Sequence, residues 1–134
     1  MRLAPALALG VTLALGGCGG PAPKQSQSQP SQGASSSALE RAKIHTELGV
    51  GYYEASRLAV ALEELNEAIS ADKTYAPAWN ARALVRMDLR EDAQAESDFR
   101  QALELDPASS ATKNNYGLFL CQRNRGKEGV VYLL

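Results

Sequence analysis

From about residue 38 onward, apolar and small side chains recur at three- and four-residue steps, separated by short polar breaks. This spacing is typical of helices that bury one face. It predicts six helices, at 40–54, 57–71, 76–89, 92–105, 110–123 and 126–134. Ser37 and Glu40 form a possible capping box that would start the first helix. The pattern therefore predicts an all-α domain over residues 38–134.

Residue sizes repeat with a period of 34 along the predicted helices. Two antiparallel helices cross closely only where a side chain is nearly absent, and a bulky residue then fills the space beside the crossing. Small residues recur in two registers and large apolar residues in a third. The small positions are Gly49, Ala83 and Gly117, then Ala61, Ala95 and Gly129. The large positions are Leu65, Phe99 and Leu133.

A period of 34 resembles the tetratricopeptide repeat, which is a pair of antiparallel helices. The second repeat fits the family pattern at Trp79, Ala83, Ala95, Phe99, Ala102 and Pro107. The first repeat departs from it at His45 and Lys73, and the second at Arg82 and Arg86. The resemblance implies an α-solenoid of helical hairpins with repeats at about 42–75, 76–109 and 110–134. An irregular alanine-rich bundle is the alternative.

The third repeat is short, because its second helix would reach only Leu134. We therefore expect about two and a half repeats, truncated at the C-terminus as in a fragment of a longer repeat protein. Such an end lacks the polar capping helix that repeat arrays need. The expected consequences are an exposed apolar end and marginal stability.

The first eighteen residues predict export and lipidation. Arg2 precedes an apolar run from Leu3 to Leu15, which is too short to span a bilayer, so residues 1–17 are typical of a signal peptide. The run ends in Leu-Gly-Gly-Cys, which resembles the bacterial lipobox and implies that Cys18 carries the lipid. An ordinary secretory signal is the alternative. Residues 18–37 form a Gln/Ser/Pro tether whose composition is typical of disorder.

Composition narrows the class of function. The net charge is −1 with basic residues scattered among acidic ones, so nucleic acid is not an expected partner. No cofactor and no metal site is predicted, because Cys18 and Cys121 lie in no ligand motif. His45 is the only histidine and is expected to be structural. No catalytic residue is predicted.

The string Asn114 to Cys121, together with Leu48 to Tyr52 and the lipobox, resembles the type IV pilus biogenesis lipoproteins of the PilW/PilF pilotin family. This resemblance implies a lipid-anchored protein on the periplasmic face of the outer membrane. It also implies a role in localising the pilus secretin and assembling it into multimers. Two alternatives remain, a general lipoprotein adaptor for other envelope proteins and an enzyme acting on envelope substrates.

Stacked tetratricopeptide hairpins curve so that their first helices line a concave groove. Placing the repeats in this geometry predicts a partner-binding groove of mixed apolar and amide character, suited to a peptide. The predicted groove residues are Thr46, Val50, Tyr53, Asn80, Leu84, Met87, Asn114 and Leu118, with Cys121 beside them. Val50, Leu84 and Leu118 would alternatively pack only between neighbouring helices.

Overall fold

The computed structural model describes the backbone of residues 31–133 and the side chains of residues 35–133. Six helices form three antiparallel hairpins that stack in sequence order. They are α1 (Ser31–Glu54) with α2 (Leu58–Ala71), α3 (Ala76–Asp88) with α4 (Asp92–Leu105), and α5 (Ser110–Gln122) with α6 (Gly126–Leu133). The all-α prediction and the hairpin stack are confirmed. The predicted signal peptide, Cys18 and the tether up to residue 30 lie outside the described residues.

Five of the six helices begin and end within one or two residues of their predicted bounds. Helix α1 is the exception, because it begins at Ser31 and not near Ser37. The prediction of a tether extending to residue 37 was therefore wrong for residues 31–37. Serine and glutamine disfavour a helix by only a few tenths of a kcal/mol per residue, and Gly33 adds about 1 kcal/mol. A helix nucleated in its packed part extends through such residues, and Ser37 lies inside α1 rather than at its start.

The turn inside each hairpin has the same backbone geometry. Ser56, Arg90 and Asn124 have φ values of 59°, 65° and 60°, and they are again 34 residues apart. The residue after each of them donates its amide to the carbonyl five residues earlier, at 2.8 to 2.9 Å. This arrangement satisfies carbonyls at the end of the first helix. A left-handed residue costs about 1–2 kcal/mol when it carries a side chain, so the repeated turn geometry is imposed by the hairpin.

The small residues lie where the paired helices cross. A Cβ atom at Gly49 would lie 2.6 Å from Cγ of Leu65, and one at Gly129 would lie 2.7 Å from the carbonyl oxygen of Gly117. Leu65 and Phe99, from the large register, are fully buried. Their counterpart Leu133 remains 46% exposed. Within residues 31–133, no helix is both long and apolar enough to cross a membrane.

Candidate protein-binding surfaces

Three of the predicted groove residues line one cavity between the first two hairpins. Val50 and Tyr53 from α1 face Leu84 from α3 across a space of about 200 Å³. Buried Leu65 and Ala81 form its floor, and Glu54 lies at its rim. We call this cavity, lined by Val50, Tyr53, Glu54, Leu65, Ala81 and Leu84, the concave pocket.

The rim of the concave pocket is acidic. Burial raises the pKa of Tyr53, and the nearby Asp88 carboxylate raises it further. Asp88 follows Leu84 by one helical turn, so it lies beside the pocket and close to Tyr53 without lining the cavity itself. Glu54 and Asp88 are both exposed. Neither carboxylate forms an ion pair with a basic side chain in the described part of the chain.

The other predicted groove residues differ in their exposure and in their contacts. Asn80 is half-buried and accepts a hydrogen bond from Asn115 at 3.2 Å, while Asn114 is exposed and Leu118 is 48% exposed. Met87 is half-buried against the aromatic core of the second and third hairpins. These residues do not share the concave pocket, so the structure groups only part of the predicted set.

Thr46 was predicted to line the groove, but the structure buries its side chain. Its side chain is only 6% exposed, and its hydroxyl donates to the carbonyl oxygen of Ala42 at 2.7 Å. A threonine inside a helix commonly satisfies its hydroxyl on the preceding turn, so it offers no free donor to a partner. Cys121, which was placed beside the groove, is half-buried next to Gly129, where the α5–α6 crossing is closest.

A second surface lies on the outer side of α1, away from the rest of the stack. Its residues surround an open cavity of about 480 Å³, and we call this surface the α1 outer face. They are Ile44, Glu47, Leu48, Gly51, Tyr52, Ala55 and Arg57. Ile44 and Leu48 are 47% and 45% exposed although they are large and apolar. The guanidinium of Arg57 lies 5.1 Å from the centre of the Tyr52 ring, at the edge of this face.

The 34-residue register explains why the α1 outer face is open. In the second hairpin the residues equivalent to Ile44 and Gly51 are Ala78 and Val85, which are 0% and 1% exposed. Ala78 is covered by Ala68 and Ile69, and Val85 by Ala61 and Leu65, all of them from α2. The first hairpin thus covers the second, and the same face of α1 has no covering helix among residues 31–133. The sequence analysis did not predict this surface, because the repeat pattern does not show which helix face lacks a neighbour.

Arg82 and Arg86, the departures from the repeat pattern, bind one buried carboxylate. Asp98 is 2% exposed and accepts hydrogen bonds from Arg82 at 2.8 Å and from Arg86 at 2.9 Å. Arg82 also donates to Asn66 of α2 at 2.8 Å, which links the first two hairpins. Two arginines and an aspartate replace apolar packing here, so the set is a structural ion network. The sequence contained all three residues, but their separation concealed the network.

His45 has a structural position. Its Nδ1 lies 2.8 Å from Oε2 of Glu64, so the pair joins α1 to α2. Glu64 was not identified as its partner, because 19 residues separate the two. In the described residues, no group of three histidine, cysteine, aspartate or glutamate side chains is arranged to hold a metal ion.

Comparison with known proteins identifies the repeat. The tetratricopeptide repeat family matches residues 76–109, which correspond to α3 and α4 with their flanking turns. Over 95 residues the chain is 32% identical to the type IV pilus assembly protein PilF of Pseudomonas aeruginosa. That alignment covers 71% of this chain and 38% of PilF, so the chain spans less than half of this relative.

Solved structures agree with this relationship. A structure from the functional characterisation of Pseudomonas aeruginosa pilF matches with a TM-score of 0.69 and 29% identity, over 72% of this chain and 43% of that one. MamA matches with a TM-score of 0.63 at 21% identity, over 72% of this chain and 56% of its own. The second repeat domain of Spaghetti (RPAP3), bound to an HSP90 peptide, matches with a TM-score of 0.66 at 24% identity, over 75% and 95% of the two chains.

MamA and Spaghetti, at these identities, share only the fold with this chain. The PilF match rests on sequence as well as fold, and the six helices reproduce the hairpin stack. The fold is a scaffold for binding other proteins. The chain is therefore a tetratricopeptide-repeat protein related to the type IV pilus assembly protein PilF.

Proposed function

We propose that this chain is a pilotin that binds the pilus secretin and promotes its localisation and multimerisation. In this proposal Cys18 carries a lipid that anchors the chain to the periplasmic face of the outer membrane. The relationship to PilF and the lipobox-like sequence support this role. The structural observation that carries it is the exposed α1 outer face, an apolar surface on a fold that binds proteins.

The packing of the second hairpin indicates what kind of segment fits the α1 outer face. There, the equivalent face of α3 is covered by α2, through Ala61, Leu65, Ala68 and Ile69. An apolar helix face of the secretin would cover α1 in the same way. Burying a leucine or isoleucine completely stabilises a complex by about 1.5–3 kcal/mol. Since Ile44 and Leu48 are about half exposed, each would contribute roughly half of that.

The size of the cavity leaves room for several side chains of a bound helix. Its open volume of about 480 Å³ is more than twice the roughly 200 Å³ of the concave pocket. Glu47 and Arg57 provide one acidic and one basic group at its edge, which would orient a polar flank of the bound segment.

The test is an immunoblot for heat-resistant secretin multimers in outer-membrane fractions. Strains would carry the wild-type gene, a deletion, Cys18→Ala, Leu48→Glu or Val131→Glu. Val131 is the matched control, because it is an apolar residue of α6 that is 73% exposed and lies outside the α1 outer face. Blotting the chain itself establishes that each variant accumulates.

We expect multimers to be lost in the deletion and Leu48→Glu strains and reduced with Cys18→Ala, but unchanged with Val131→Glu. A glutamate at position 48 would place a charge within an apolar contact. Equal multimers in all strains would contradict the pilotin role and leave a general envelope adaptor as the better account. Equal loss with both glutamate variants would contradict the assignment to the α1 outer face.

A further inference from the structure

We infer that the concave pocket is a second binding site, for a protein segment that carries a large apolar side chain next to a lysine or arginine. This site goes beyond the proposed contact at the α1 outer face. Val50, Tyr53 and Glu54 project from a different side of α1 than Leu48, Gly51 and Ala55. Loss of binding at one surface therefore leaves the other intact.

The size of the pocket selects a side chain. Its volume of about 200 Å³ is several times the roughly 30 Å³ of one water molecule. It is smaller than the roughly 300 Å³ at which clefts for small molecules begin. One large apolar side chain is the matching occupant, since Leu65 and Ala81 form the floor and Val50 and Leu84 the walls.

The charge at the rim determines which residue of the bound segment fits next to its apolar side chain. Glu54 lies at the opening, and Asp88 lies against Tyr53 one turn beyond Leu84. The charge of Arg123 interacts with Asp88, but this arginine is bound to both oxygens of Asp92 at 2.7 Å. The two rim carboxylates thus have no ion-pair partner among the described side chains.

Charge complementarity follows from this arrangement. A cation beside the apolar side chain would lie near Glu54 and Asp88, whereas a carboxylate there would be repelled. The concave pocket is therefore suited to a basic and apolar segment and disfavours an acidic one. The exposed Asn114, on the same side of the stack by repeat register, is available to hydrogen-bond the backbone of a longer segment.

Fluorescence anisotropy with labelled peptides tests this inference on the full chain in detergent micelles. Two probes share a Gly-Ser host sequence and differ at one residue, with a central leucine followed by lysine in one and by glutamate in the other. We expect the leucine–lysine probe to bind about fivefold more tightly, which corresponds to about 1 kcal/mol from exposed ion pairs. Added salt should reduce this ratio by screening.

Matched variants distinguish the effect of the carboxylates near the pocket from the effect of the overall charge of the protein. Glu54→Gln with Asp88→Asn should bring the ratio close to one. Glu67→Gln with Glu104→Gln removes the same charge at exposed positions away from the pocket and should preserve the ratio. The inference is overturned if neither probe binds, if wild type binds both equally, or if the rim variant keeps the preference. Secretin multimers should be unaffected by the rim variant, which distinguishes this test from that of the proposed function.

Discussion

Gly51 and Gly129 are both glycines inside helices, but an added methyl group would meet different surroundings at the two positions. At Gly51 no atom outside the neighbouring residues and the backbone of the same helix lies within 4 Å of the added Cβ. At Gly129 the Cβ would lie 2.7 Å from the carbonyl oxygen of Gly117 and 2.8 Å from Sγ of Cys121. Because the closer atom belongs to the backbone, α5 and α6 would have to move apart.

We therefore expect Gly129→Ala and Gly51→Ala to change stability in opposite directions. Gly51→Ala should raise the free energy of unfolding by about 0.5–1 kcal/mol, the helix preference of alanine over glycine. Gly129→Ala should lower it by about 1–3 kcal/mol, as for other overpacked positions. Urea denaturation of both variants measures this difference. A gain in stability at Gly129 would show that the crossing is looser than the distances indicate.

Among the elements, most helix bounds could be predicted from the sequence because the period of 34 repeats its small and large positions. The start of α1 could not, since residues 31–37 lack apolar periodicity and their helical state depends on the packed turns after them. The role of Arg82 and Arg86 could not be predicted from the sequence for a related reason. Their role depends on Asp98, whose proximity is set by how α3 packs against α4.

Hydrogen-bonded ion pairs fasten the third hairpin to α4. Arg123 binds Asp92 and Arg125 binds Glu96, each at 2.7 Å, and the hydroxyl of Tyr116 donates to Glu96 at 3.0 Å. The hydrogen bond from Arg125 lowers the pKa of Glu96 most, and that from Arg123 lowers the pKa of Asp92 most. Both carboxylates connect the second hairpin to the turn between α5 and α6.

These shifts predict a loss of stability in acid. A carboxylate with a lowered folded-state pKa stabilises the fold above its unfolded pKa, about 4 for aspartate and glutamate. As the pH falls below that value the unfolded chain takes up protons first, and the stabilisation is lost through the folded-state pKa. Urea denaturation between neutral pH and about pH 3 should show this decline. Glu96→Gln should make the free energy of unfolding decline less with falling pH, whereas Glu104→Gln should not. Equal pH curves for Glu96→Gln and wild type would show that Glu96 does not contribute to this decline.

At the scale of the whole molecule, the repeat register predicted which residues share a side of the stack, but not which side is covered. Val50, Tyr53 and Leu84 were found together because register alone brings them together. Thr46 shares that register yet is buried. The α1 outer face was missed because the register assigns each position the same role in every repeat, although this face of α1 has no covering helix among residues 31–133. Exposure depends on the neighbouring hairpin, and a single repeat carries no information about its neighbour.

The stack also predicts the order in which its helices unfold locally. In linear repeat arrays, stability is the sum of each repeat and its contacts with adjacent repeats. The second hairpin has a neighbour on both sides, whereas α6 has eight residues with Val130, Val131 and Leu133 about half exposed or more. We expect amides of α3 and α4 to exchange at least about tenfold more slowly than those of α6, a difference of about 1.4 kcal/mol in opening free energy.

Hydrogen exchange followed by mass spectrometry measures this order, and Phe119→Leu tests its cause. Phe119 packs against Phe99 of α4, with ring centres 5.7 Å apart, so it contributes to the contact between the second and third hairpins. The variant should speed exchange in α5 and α6 while leaving α1 and α2 nearly unchanged, because those helices make no contact with the altered ring. Uniform acceleration across all six helices would show instead that the three hairpins unfold as one cooperative unit.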